Sequence, residues 1–273
     1  MQKSFETPTP PSLYVELGAG SLSIRAEETS RTTVRVEGKA ADEVTVEQRG
    51  EQIVVLAPHK RSAFFGSGTE LDVQVTLPRD SVLATKLGSA GVVTVGRLGE
   101  TKVKSGSGDV RLDELGADAL VETGSGDIDI ASCTGELRIK TGSGDVDVAR
   151  LTGAASIATG SGDVELGSTG EAVQVKSGSG DLRVKDAGTD IALSSASGDL
   201  YVGVIRRGSV LAKNVSGDIR VGVPGQIPVW TDISAVTGTV SSTLEGAGEP
   251  TDGQDFIEVR AKTVSGDIHL EQL

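Results

Sequence analysis

The tetrad Gly-Ser-Gly-Asp recurs with a fixed spacing of 18 residues, at 106–109, 124–127, 142–145, 160–163 and 178–181, with Ala-Ser-Gly-Asp in phase at 196–199. The spacing then loosens through Val-Ser-Gly-Asp at 215–218, Val-Thr-Gly-Thr at 236–239 and Val-Ser-Gly-Asp at 264–267. Upstream, Gly-Ser-Ala-Gly at 88–91 keeps the phase without the acid, and Gly-Ala-Gly-Ser at 18–21 is a more distant echo. A fixed period of this length means a stacked repeat fold, because one such unit cannot bury its apolar face alone.

Between tetrads the apolar residues alternate. Val146 and Val148 follow one tetrad, and Ala155 and Ile157 precede the next; Ile128/Ile130 with Leu137/Ile139, Val164/Leu166 with Val173/Val175, and Leu182/Val184 with Ile191/Leu193 occupy the same columns. A period of two is that of a strand with one face inward. Each 18-residue unit therefore reads as strand, turn, strand, turn. Leu115, Cys133, Leu151, Thr169 and Ala187 form a further column at the second turn, which makes Cys133 a small core residue. The expected fold is all-β: a flattened parallel β-solenoid, right-handed by the general rule for parallel crossovers. Two sheets about 10 Å apart accommodate Val, Ile, Leu and Ala more readily than rings. The chain of 273 residues has only one Trp, two Tyr and four Phe. Glycines in the tetrad are expected to supply positive φ at the corners.

The organisation divides as one continuous domain: irregular N-terminal β coils or a cap over 1–85, regular repeats over 86–222, and degenerate C-terminal coils and a cap over 223–273. Residues 58–69, with Phe64 and Phe65, and 245–255 interrupt the pattern; Pro224, Pro228 and Trp230 mark another departure. Phe64, Phe65 and Trp230 are expected to cover an open flank or end, or else to dock a partner.

Net charge is −13, which argues against nucleic acid and anionic membrane surfaces as partners. One cysteine and two distant histidines, His59 and His269, exclude a disulfide framework and most zinc centres. No segment approaches the roughly 20 apolar residues of a membrane span. The start, Met-Gln-Lys-Ser-Phe-Glu, has no secretory pattern, so a cytoplasmic location is expected, surface exposure being the alternative.

Chemistry centres on the acids Asp109, Asp127, Asp145, Asp163, Asp181 and Asp199, continued by Asp218 and Asp267. Stacked one per coil, they repel by about 1 kcal/mol per neighbour in a water-like medium. Local turn N–H groups are expected to offset this, helped by Ser105, Thr123, Thr141, Thr159, Ser177 and Ser195. The alternative is a weak cation ladder. Calcium rolls, however, place an acidic corner every nine residues, and the 18-residue spacing here supplies too few oxygens. The hexad of acyltransferase helices fails at Thr152, and no phosphate loop or nucleophile elbow stands before a helix. Neither a catalytic residue nor a cofactor is expected. Lys102, Lys104, Arg138, Lys140, Lys176, Lys213, Arg260 and Lys262 line outward positions before the tetrads, as a mixed soluble surface or a lateral contact.

The iterated Thr/Ser-Gly-Ser-Gly-Asp pattern, the Pro-Val-Trp before the worn repeat at 236–240, and the closing Thr-Val-Ser-Gly-Asp-Ile at 263–268 resemble the bacterial β-strand-repeat family of putative adhesins, a domain of unknown function. The resemblance implies a β-solenoid and carries over no catalytic residue. The functional expectation is a non-enzymatic, adhesin-like scaffold for a protein partner or for self-association through exposed strand edges. The alternative is a cation-binding repeat using the Asp column, and a polysaccharide-acting β-helix enzyme ranks last, since it would need an acid pair outside the regular array.

Overall fold

Strict alternation along each strand puts every second side chain inward, and the structure buries those columns as the sequence orders them. The computed structural model describes residues 1–58, 70–245 and 256–273. They form two compact units, Met1–Thr141 and Gly142–Leu273. Both are built of parallel-paired strands in coils, a β-solenoid with no α-helix among the described residues.

In the second unit one sheet runs Val146–Leu151, Val164–Thr169, Leu182–Ala187, Leu200–Ile205, Ile219–Val223, Ile268–Gln272 and Val240–Ser242. The other runs Ala155–Ser161, Val173–Ser179, Ile191–Ser197, Gly208–Lys213, Ile257–Ser265 and Val229–Thr237. The pairing is parallel and residue for residue: Val164 lies beside Leu182, and Val173 beside Ile191. Val164, Leu166, Val173, Val175, Leu182, Val184, Ile191 and Leu193 are all buried. At the second turn Leu151, Thr169 and Ala187 are buried in file, as are Leu115 and Cys133 in the first unit.

The spatial order departs from chain order at the end of the second unit. The coil Ile257–Ser265 with Ile268–Gln272 is threaded between the coil of Gly208–Lys213 and Ile219–Val223 and the coil of Val229–Thr237 and Val240–Ser242. The first unit repeats the device. Ser12–Leu17 and Gly20–Glu27 make a coil, which lies between Gln52–Leu56 with Leu71–Pro78 on one side and Val82–Leu87 with Gly91–Val95 on the other. The chain steps over a coil at residues 79–81 and 224–228. Those turns hold the two described non-glycine residues with positive φ, Asp80 (60°) and Gln226 (67°). Their left-handed backbone departs from the regular corners and lets the chain skip a place in the stack.

The irregular N-terminal alternation resolves into two kinds of structure. Part of it makes the coils just described. The rest is antiparallel: Arg31–Glu37 pairs with Leu71–Pro78, Gln2–Glu6 with Arg31–Glu37, and Thr45–Arg49 with Gln52–Leu56. These outer strands carry ion pairs, Arg31 to Glu6 at 2.6 Å and Arg49 to Glu47, which blunt the sheet edges with charge.

Thr169 exposes a packing fault. Its hydroxyl is buried with no hydrogen-bond partner, in a column whose neighbours are Leu151 and Ala187. Thr169→Val keeps the shape and removes the unsatisfied group, and should raise stability by about 1–2 kcal/mol in a denaturant titration.

Candidate functional site: the corner ladder and the end coil

The Ser/Thr column closes each corner locally. In the first unit Gly108 N–H donates to Ser105 Oγ and Gly126 N–H to Thr123 Oγ1, both at 3.1 Å. In the second unit Thr159, Ser177 and Ser195 donate their hydroxyls to the carbonyls of Ser161, Ser179 and Ser197 at 2.8–2.9 Å. The corners themselves differ. Positive φ occurs at Gly162, Gly180, Gly198, Gly217 and Gly266 of the second unit, but not at Gly108 or Gly126. In the first unit glycine is required instead by close approach: a Cβ on Gly126 would stand 2.2 Å from the Gly108 carbonyl oxygen.

The aspartates work between coils rather than within their own turn, which corrects the local account of the acid column. Asp163 N–H donates to Asp145 Oδ1, Asp181 N–H to Asp163, Asp199 N–H to Asp181, and Asp218 N–H to Asp199, each at 2.8 Å. In the first unit Asp127 N–H donates to Asp109 Oδ1 at 3.3 Å. A hydrogen bond to a charged acceptor contributes about 1.5–3 kcal/mol, more than the roughly 1 kcal/mol of repulsion between exposed neighbouring charges. Flanking guanidinium groups help: Arg183 lies 3.2 Å from Asp181 and Arg111 3.4 Å from Asp109.

The ladder follows the spatial order. Asp267 N–H donates to Asp218 at 2.8 Å, and Thr239 N–H donates to Asp267 at 2.7 Å. The missing acid of the worn repeat is thereby explained, because Thr239 sits on the last rung of the described ladder and has no further corner N–H to receive. Among the described residues no group of three or more His, Cys, Asp and Glu side chains is arranged to hold a metal ion.

Half of the basic outward stripe, Lys104, Arg138, Arg260 and Lys262, is engaged by neighbouring acids. Lys104 meets Glu122 at 2.5 Å, Arg138 meets Glu136 at 2.8 Å and Lys262 meets Asp232 at 3.0 Å. The Lys104 hydrogen bond holds the Glu122 carboxyl below the usual carboxylate range. Cys133 is fully buried, its thiol 3.6 Å from the Gly135 carbonyl oxygen; burial, reinforced by the charge of Asp118, pushes its pKa up. A thiol reagent should label native Cys133 at least about a hundredfold more slowly than the denatured chain, the factor set by roughly 3 kcal/mol of local opening.

Phe64 and Phe65 lie outside the described residues. Trp230 stands on the edge strand Val229–Thr237, half exposed, with the Arg260 guanidinium 5.5 Å from its ring centre. Tyr201 is not among the residues expected from the sequence. It is exposed between Arg183 and Arg220 in the strand register and lines a shallow depression with Lys185 and Asp199. Its signal is an aromatic at an outward position held by arginine in the coils on either side.

Coils in parallel register, closed by hydroxyl-glycine corners and joined by a carboxylate ladder, define a repeat protein of the β-solenoid class. The Toastrack DUF4097 family model matches residues 12–271, and the chain belongs to that family. No curated protein matches the sequence. Similar solved structures include a "putative cell adhesion protein" from Clostridium sporogenes ATCC 15579 (15% identical, TM-score 0.24, covering 100% of this chain and 99% of that one). A "putative adhesin" from Bacteroides fragilis NCTC 9343 is 12% identical, with TM-score 0.33 and coverage of 100% and 96%. A "putative lipid binding protein" from Parabacteroides distasonis ATCC 8503 is 10% identical, with TM-score 0.37 and the same coverage. With TM-scores below 0.5, these likenesses carry no weight for function.

Proposed function

We propose that the chain is a non-enzymatic, adhesin-like scaffold that presents fixed files of side chains to a protein partner, a second copy included. The observation that carries this reading is the residue-for-residue parallel register, such as Val164–Thr169 over Leu182–Ala187. It repeats each outward position at the strand spacing of about 4.8 Å. Outward charges are engaged with one another along these files, as Lys104 is with Glu122 and Arg111 with Asp129. No helix among the described residues is long and apolar enough to cross a membrane.

The test is cross-linking of the folded full chain in its host cell, followed by mass spectrometry. Cross-links from outward strand positions to one protein, or to another copy, support the reading. A folded chain that yields neither would overturn it. Calcium binding along the acids is the alternative, and the ladder leaves it little room, because one oxygen of each linked carboxylate already accepts a backbone N–H. Binding to the folded state must raise the melting midpoint. An unchanged midpoint in millimolar calcium is the result expected here.

A further inference from the structure

We propose that the edge strand Val229–Thr237 pairs antiparallel with the same strand of a second copy, giving a twofold dimer through the end coil of the second unit. The inference rests on the scaffold reading above and names its partner and surface.

Three observations carry it. The first is the unequal treatment of sheet ends. In the first unit the end strands are antiparallel and charged, with Arg31 paired to Glu6 and Arg49 to Glu47. Val229–Thr237 instead pairs with Ile257–Ser265 on one side only among the described residues. Its single charge, Asp232, is engaged by Lys262 at 3.0 Å. Open edges of this length are normally blunted.

The second is apolar exposure that gathers towards this edge. At the corner position held by glycine in the earlier coils (Gly160, Gly178), the last coils carry Val215, Val264 and Val236. Strand pairing sets these corners side by side: Ser216 bridges Ser265, and Thr237 lies opposite Ser265. The three valines are 55%, 49% and 72% exposed, and Trp230 on the same strand is 51% exposed. Such a concentration of apolar surface marks an interaction site.

The third is self-complementarity in one register. Pro228 turns its carbonyl towards the neighbouring strand, accepting from Ile257 N–H at 2.9 Å. By strand alternation Thr231, Ile233 and Ala235 then turn their N–H and C=O groups to the open side. With Ile233 on the axis, Ile233 faces its own copy and Thr231 faces Ala235, and each pair exchanges two backbone hydrogen bonds. On the outer face Trp230 then meets Val236, an aromatic with a β-branched residue, and Asp232 meets the Ser234 hydroxyl. A twofold axis at Asp232 would oppose two carboxylates. One at Ser234 would set Asp232 against Val236. Ile233 avoids both clashes and is the midpoint of Val229–Thr237, so an axis there also gives the longest paired ladder.

The experiment is sedimentation of the full chain across protein concentration, together with two variants. The wild type should approach about 56 kDa, twice its 27.9 kDa. Ile233→Pro removes an outward N–H on an edge strand, where proline is tolerated, and should be monomeric with an unchanged circular dichroism spectrum. Ile233→Cys should form a disulfide-linked dimer under mild oxidation, since directly opposed residues in a hydrogen-bonded pair lie about 5.5 Å apart at Cα. Thr231→Cys, opposite Ala235, should cross-link far less. A folded wild type that stays monomeric at high concentration would overturn the proposal and leave the scaffold reading to the cross-linking experiment. A dimer that survives Ile233→Pro, or that cross-links equally well through Thr231→Cys, would place self-association on another surface. Should Ile233→Pro fail to fold, the two cysteine variants decide.

Discussion

A chain ended after residue 245 is expected to lose the ordered end of its second unit rather than a dispensable tail. The strand Ile257–Ser265 is flanked by Gly208–Lys213 and Val229–Thr237, and Ile268–Gln272 by Ile219–Val223 and Val240–Ser242. Its Ile257, Val259, Ile268 and Leu270 are buried. Their loss removes on the order of 6–12 kcal/mol of gross apolar burial, comparable with the whole margin of a folded domain. It also uncovers Val210, Val221 and Val223 on the preceding coil. Limited proteolysis should cut the truncated chain throughout 206–245 under conditions that spare the full chain. Removing Gln2–Glu6, an edge strand with largely exposed side chains, should leave the digestion pattern of the second unit unchanged.

Gly180→Ala should be among the most damaging single methyls in the regular repeats, with Gly198→Ala its equal. Gly180 has φ of +126°, and a Cβ there would stand 2.2 Å from the Gly162 carbonyl oxygen in the preceding coil. The backbone region alone costs about 1–3 kcal/mol for a residue with a side chain. The clash is with main chain that the ladder already holds, since Asp181 N–H is bonded to Asp163. Together they put the loss near 3–5 kcal/mol, a drop of roughly 10 °C in melting midpoint. Gly18→Ala is the matched control. Nothing lies within 4 Å of its added methyl and its φ is not positive, so stability should stay within about 0.5 kcal/mol. Equal losses at the two positions would refute the account of the corner.

The fold was legible because side-chain periodicity reports burial directly: Val164, Leu166, Val173 and Val175 face inward as their alternation requires. The acid column was legible as a file, but not in its bonding. A motif names Asp163 and Asp181 without saying which N–H each carboxylate receives, and the answer depends on the coil beside it. Spatial order was hidden for a related reason. A repeat records phase and not sequence of stacking, so the threaded coils look like any others. One letter did betray them: Thr239, where the acid is missing, because the rung it occupies is the last described and not the penultimate. The antiparallel strands at Arg31–Glu37 and Thr45–Arg49 alternate as well as the parallel ones do, so pattern alone could not tell the two directions apart.

The threaded order has a consequence for biosynthesis. Translation delivers the polypeptide from one end, and stacking normally could follow in step, each new turn laid upon the one before. Here the opening turn, Ser12–Leu17 with Gly20–Glu27, acquires its second neighbour only once Val82–Leu87 has left the ribosome. The closing stretch, Ile257–Gln272, must find its place between segments that were made earlier. Nascent chains halted before Ile257 emerges should therefore remain protease-sensitive in the turns that await it. Elongation past Gln272, not the synthesis of the outermost turn, is the moment at which the stack of the second unit can close.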